Sequence, residues 1–256
     1  MTKAPTGYII YHGPSMIDHE RIVVVALVGK SRNDKTGGMM QTYIMRADMD
    51  PRKASKTGAD FSICGSCPHR GLPTTDKDRK QAAERTCYVL LGQGPLSVWR
   101  GLVAGRYPHR TQLLPIASLG AGRKIRLGTY GDPAAVPSYV WTALLTGSAG
   151  HTGYSHQSAT PGADYRSDLV MRSVDTIQQA ADAWDIGERT FRVISNVEDI
   201  DLDREIICPA SEEAGKRTQC ERCGLCAGSK VKAKSIAIVA HGSGRGHFGK
   251  HVQQTA

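Results

Sequence analysis

The stretch IRLGTYGDPAAVPSYVWTALLTG (residues 125–147) decides the fold class. Its first half is apolar and β-branched and ends on a Gly-Asp turn, which reads as a strand. Pro133 then sits near the start of an apolar run long enough for a helix. The same order repeats downstream. HTGYSHQ (151–157) and DLVMRSV (168–174) read as short strands. VDTIQQAADAWD (174–185) reads as an amphipathic helix with Ile177, Ala180, Ala181 and Trp184 on one face. RTFRVIS (189–195), EIICPAS (205–211) and SIAIVAHG (235–242) are three further strands. Alternating strands and helices predict parallel βαβ units. About six strands after residue 120 fit an α/β fold, a partial or distorted (β/α) barrel of mostly parallel strands, with an open doubly wound sheet as the alternative.

Upstream, GYIIYHG (7–13), RIVVVALVG (21–29) and MMQTYIMRA (39–47) predict a small β-rich N-terminal segment spanning 1–60. Residues 48–76 hold three prolines and three glycines and read as a long irregular segment, a kind of loop that is usually functional. A short helix over 77–85, a strand over 87–92 and a helix opened by Pro95 complete the pass. The expected organisation is thus the 1–60 segment, a cysteine-containing α/β core over 61–242, and a flexible basic tail over 243–256. In that tail GSGRGHFGKH approaches a phosphate-binding loop, but His251 stands where a magnesium-binding Ser or Thr belongs.

In either α/β fold, chemistry collects at the C-terminal ends of parallel strands. Asp132, His156 with Gln157, Asp175, Cys208 and His241 all fall there. Asp132, His156 and His241 are therefore the candidate catalytic residues. Asp132 can equally cap the following helix, and His156 can be a core histidine. A set of basic residues from Arg123 to Arg192 flanks the later strands, and would form an anion-binding mouth if it shared one rim.

The seven cysteines divide into two sets. Cys220, Cys223 and Cys226 form C-x2-C-x2-C, with Cys208-Pro209 upstream. That spacing suits a [4Fe–4S] cluster, and four thiolates also suit zinc. Cys64 and Cys67 form C-x2-C, with nineteen residues between Cys67 and Cys87. Three thiolates leave two completions: His69 as a fourth ligand of a zinc site, or an open position on a reactive cluster. All seven are candidate metal ligands, for one or two [4Fe–4S] clusters or for zinc. An odd number argues against complete disulfide pairing.

Lys plus Arg number 33 and Asp plus Glu 24, a net charge of +9, which favours an anionic partner such as nucleic acid. No secretory signal and no membrane-length apolar run is visible, so a cytoplasmic protein without membrane contact is expected.

Cys87-Tyr88, the strand Arg-x-Gly-x-x-Gly-Asp from Arg126 to Asp132, GYSHQ, and a late CP…CxxCxxC followed by a strand ending in His-Gly together resemble uncharacterised phage-borne cysteine-rich proteins. These in turn are distantly similar to radical S-adenosylmethionine enzymes. The resemblance covers roughly residues 60–242. It implies a partial barrel with a reactive cluster on Cys64, Cys67 and Cys87, an auxiliary cluster on the later four cysteines, and a host-cell cytoplasmic location. The chain departs from the radical enzymes in two respects. Their three cysteines lie in one C-x3-C-x2-C loop, and no Gly-Gly-Glu stretch is visible here. The resemblance therefore speaks for the clusters and the fold more than for S-adenosylmethionine as a cofactor.

Overall fold

Residues 21–27 show why the chain needs helices on its sheet: Ile22, Val23, Val24, Val25 and Ala26 are buried in succession. A strand buried on both faces reads as a continuous apolar run. In the computed structural model, which describes residues 4–29, 33–242 and 244–248, this segment is β2 (Arg21–Leu27). It lies between β1 (Gly7–Pro14) and β3 (Met40–Arg46), antiparallel to both. The chain then forms α1 (Pro51–Thr57), α2 (Phe61–Cys64), α3 (Gly94–Val103) and α4 (Leu113–Gly120). It re-enters the sheet as β4 (Lys124–Tyr130), parallel to β3, and after α5 (Ser138–Leu145) adds β5 (Gly150–Thr152) at the far edge. This first sheet has the order β1-β2-β3-β4-β5.

The second sheet begins one residue later. It comprises β6 (Tyr154–Ser155), β7 (Met171–Val174), β8 (Thr190–Ile194), β9 (Glu205–Ile207) and β10 (Ser235–Val239). Its order is β6-β7-β8-β10-β9 and every pairing is parallel. The amphipathic α6 (Ile177–Asp185) connects β7 to β8, and α7 (Cys220–Cys223) lies between β9 and β10.

The α/β class expected from residues 125–147 is found. A barrel is not: among the described residues the strands form two open five-stranded sheets, neither of them closed. The β-rich N-terminal segment shares its sheet with residues 124–152. HTGYSHQ, read as one strand, is split between the two sheets at Gly153. There a Cβ would sit 2.8 Å from Val170 Cγ1, so only glycine lets the chain pass between the layers without a shift.

The irregular segment contains α1, capped by Asp50, whose side chain accepts from Arg52 N–H. The helix expected over 77–85 and the strand over 87–92 do not form. Lys77 to Lys80 are all exposed and offer no apolar face to bury, so propensity has no packing to support it. The N–H groups of Thr86 and Cys87 instead donate to His69 O, at 3.2 and 3.0 Å. On α6, Ala180 and Ala183 face inward while Ile177 is exposed. Of the expected tail, residues 243 and 249–256 lie outside the described residues. Phe248, within the described part, is buried and stacks on His69 at 5.7 Å.

The large core lies on the first sheet, around Trp141, Ile44, Leu127 and Leu144. The second sheet has a smaller one, built from Met39, Met171, Ile236, Ile238 and Ala210 together with Cys208, Cys220 and Cys226. Buried arginines reinforce it. Arg189 donates to four main-chain carbonyls, those of Leu225, Gly228, Ala233 and Lys234. Arg192 is paired with Glu205 through two hydrogen bonds of 2.9 and 2.5 Å. The basic residues flanking the later strands therefore do not share one rim, because Arg189 and Arg192 point inward.

The Glu205 side chain is entirely buried, so removing its partner strands a charge. Arg192→Met is expected to destabilise the protein by about 3–5 kcal/mol. Arg192→Met with Glu205→Leu should recover most of that loss. Chemical denaturation of both variants checks the pair; equal stabilities would contradict it.

Candidate metal centres

The first set is assembled around Gln157, which is fully buried just after β6. Its amide nitrogen donates to Cys64 O at 2.7 Å, and its Oε1 accepts from Ser66 N–H at 3.1 Å. One side chain thus grips the loop between Cys64 and Cys67. The grip requires close approach. Gly65 has φ 51°, and a Cβ there would lie 2.0 Å from Gln157 Oε1. Cys87 is drawn to the same place by its N–H bond to His69 O.

Burial pushes the thiols of Cys64 and Cys87 up, and both feel Cys67 nearby. Two polar atoms buried beside this set have no hydrogen-bond partner among the described residues: Tyr130 Oη and His156 Nε2. Tyr130 feels Cys64 and Cys87, and burial holds its hydroxyl well above the usual range. For His156 burial disfavours the charged ring, but neighbouring Cys67 and Asp175 outweigh it and hold the imidazolium well above its usual range. Unsatisfied buried groups are rare and mark a missing partner.

Asp132 is spent on positioning. One of its oxygens accepts from Ala134 N–H at 3.0 Å, the other from His156 N–H at 2.9 Å. The structure thus brings Asp132 and His156 together, as main-chain anchor and anchored residue. His241 is elsewhere: it stacks on Tyr88 at 5.2 Å, and its Nδ1 is 3.1 Å from Val239 O. Asp175, placed at a strand end by the sequence, proves to be the acidic member of this region. Its Oδ1 accepts from His69 Nε2 at 2.8 Å, and its Oδ2 lies 3.6 Å from His156 Nε2. The His69–Asp175–His156 grouping had no sequence signal beyond strand-end position, because its members come from three separate segments.

The second set is anchored differently. Cys208 N–H donates to Ala237 O, extending the β9–β10 ladder. Cys220 N–H donates to Lys35 O, and Cys226 O accepts from Gly153 N–H between the sheets. Burial raises the Cys226 thiol to about 12, with Cys208, Cys220 and Cys223 all contributing in the same direction. Cys220 and Cys226, whose ionisation burial and the neighbouring thiols hinder, gain a stabiliser if a cation binds among them.

Arg126 lies against this set, with only 7% of its surface exposed. Its guanidinium donates to Tyr88 Oη at 2.7 Å and sits over the Tyr154 ring at 5.0 Å. No carboxylate lies within ion-pair distance of it among the described residues. Burial disfavours its charge, yet Tyr88, Tyr154 and Cys220 hold the guanidinium firmly protonated. A buried cation demands an anion. Metal-bound thiolates provide one, and free thiols do not.

Ligand spacing bears on the type of metal group. A tetrahedral zinc with Zn–S near 2.3 Å holds its sulfurs about 3.8 Å apart. Among the described residues, the set of three His, Cys, Asp or Glu ligand atoms that all lie within 4.8 Å of one another is His69, His156 and Asp175, and it contains no cysteine. No helix is long and apolar enough to cross a membrane among the described residues.

Tyr130→Phe removes a buried hydroxyl that lacks a partner. Without metal it should leave stability unchanged or raise it by about 1 kcal/mol. With the Cys64, Cys67 and Cys87 set loaded it should lower stability by a similar amount, because the hydroxyl then has an acceptor. Denaturation of both proteins with and without metal reads the difference. Comparison with protein-family models, curated proteins and solved structures gives no match to this chain.

Proposed function

We propose that the chain is an iron–sulfur protein. Cys208, Cys220, Cys223 and Cys226 hold a closed [4Fe–4S] cluster, and Cys64, Cys67 and Cys87 hold a second with one position open. The observation that carries this reading is Arg126, a buried cation whose nearest candidates for a counter-charge are thiols and phenols. The C-x2-C-x2-C spacing of Cys220, Cys223 and Cys226 supports a cluster over single zinc ions. When bound, such a group supplies one-electron transfer.

The protein's own residues then have defined tasks. Arg126 offsets the negative charge of the second set, which favours the reduced form. Tyr154 hydrogen-bonds Cys226 and lowers its basicity. Gln157 fixes the spacing of Cys64 and Cys67, and Tyr130 offers a donor into the first set. The +9 charge supports a nucleotide or nucleic acid as the molecule acted upon. A radical-enzyme relationship and a phage origin belong to the same proposal and rest on the sequence motifs alone.

Protein purified without oxygen is expected to be brown and to contain about eight irons per chain, as two cubane clusters require. Cys223→Ser should remove about four of them, and Cys67→Ser the other four. Stoichiometric zinc without colour would overturn the reading in favour of a zinc-stapled nucleic-acid-binding protein. Binding to single- and double-stranded nucleic acid, measured across salt concentrations, should weaken steeply as salt rises.

A further inference from the structure

His69, His156 and Asp175 form a group that the cysteine clusters leave unexplained. His69 comes from the turn after Cys67, His156 from the end of β6 and Asp175 from the end of β7. One ligand atom from each lies within 4.8 Å of the other two. His69 and Asp175 are each 8% exposed; the His156 side chain, at 18%, is the most open of the three. As a hydrogen-bond network the group is incomplete. Asp175 Oδ1 has His69, but Oδ2 stands 3.6 Å from His156 Nε2, and the same imidazole also faces the Cys67 thiol. A proton would need a shorter contact to join them; a metal ion between the three atoms would not.

The surroundings hold each ligand in place as metal sites require. Thr86 Oγ1 is 2.7 Å from His69 Nδ1. A hydroxyl can accept as well as donate, so His69 can carry its proton on Nδ1 and present a lone pair at Nε2. Asp175 N–H donates to Gln179 Oε1 at 2.9 Å, which ties the aspartate to the capping box at the start of α6. His156 N–H is held by Asp132. Phe248 stacks on the His69 ring with an interplanar angle of 14° and covers one side of it.

We propose that His69, His156 and Asp175 bind one divalent transition-metal ion, separate from the cysteine sets. Two imidazoles and one carboxylate suit iron(II), manganese, cobalt or zinc, and three protein ligands leave positions for water or a substrate oxygen. The site stands at the C-terminal edge of the parallel sheet, where ligands of such sheets bind. Binding would displace the Asp175–His69 hydrogen bond and moves the His69 proton to Nδ1. The proposal does not depend on the cysteines holding iron.

The test is a cobalt(II) titration of the full chain, purified without oxygen and freed of loosely held metal by a chelator. Visible spectra separate the two kinds of site. Nitrogen and oxygen ligands give weak d–d bands; thiolates add an intense near-ultraviolet band. The wild-type protein should take up one equivalent that gives the weak bands, whether or not cobalt on the cysteine sets adds a thiolate band. Asp175→Asn and His69→Gln should each lose that equivalent, or bind it roughly 100-fold more weakly, with cysteine-bound metal unchanged. Absence of the weak bands in the wild type overturns the proposal outright. So does uptake in both variants equal to that of the wild type. Cobalt lost from the variants together with the thiolate band would place the ion on the cysteines and overturn it as well. The wild-type spectrum decides the matter even if a variant fails to fold.

Discussion

The arrangement depends on the passage of the chain through Gly153. Thr152 ends the first sheet and Tyr154 begins the second, so a single residue joins them. Gly153 N–H donates to Cys226 O, and its carbonyl accepts from Met171 N–H. The next residues are all committed: Tyr154 to Arg126 and Cys226, His156 to Asp132, Gln157 to the Cys64–Cys67 loop. A Cβ at this joint would press on Val170, so a side chain there would force a shift between the layers. Both cysteine sets are therefore referred to one rigid point, although they come from opposite halves of the chain.

Strand positions were legible in the sequence where burial pattern and turn chemistry agreed, as in β2, β4, β8 and β10. Residues 77–92 were misread for a physical reason. Their local preferences are helical and then extended, but the backbone is claimed by His69 and Leu72 from another segment. The turn from one sheet to the other was hidden because HTGYSHQ reads as one uninterrupted strand, and only a close contact with Val170 reveals the break. The division of the cysteines into three and four followed from spacing alone. Asp132 was legible as a residue of consequence, but its role as a main-chain anchor was not, since the groups it anchors at Ala134 and His156 are backbone N–H groups. The carboxylate beside His156 is Asp175, and three-dimensional proximity alone identifies it.

Charge balance unites the parts. Arg192 and Glu205 neutralise each other in the second sheet, and Arg189 spends its hydrogen bonds on carbonyls. Arg126 is the exception, held by two tyrosines and a field of thiols. Tyr88, its hydrogen-bond partner, directly follows Cys87; Tyr154, beneath its guanidinium, hydrogen-bonds Cys226. The two sets are consequently linked by three side chains.

The loop carrying Cys220 and Cys223 also closes the molecule along its length. Glu221 accepts from Gly38 N–H, a contact between residues 183 positions apart, and Gln219 donates to Asp34 O across 185. The turn leading into β3 is thus finished by residues near the other end of the polypeptide. On a ribosome it must wait, open, until almost the whole chain has been made. Contacts of such long range make folding slow. Loss of the Gln219–Glu221 contacts would therefore be felt near residues 34–38, far away in sequence and next door in space.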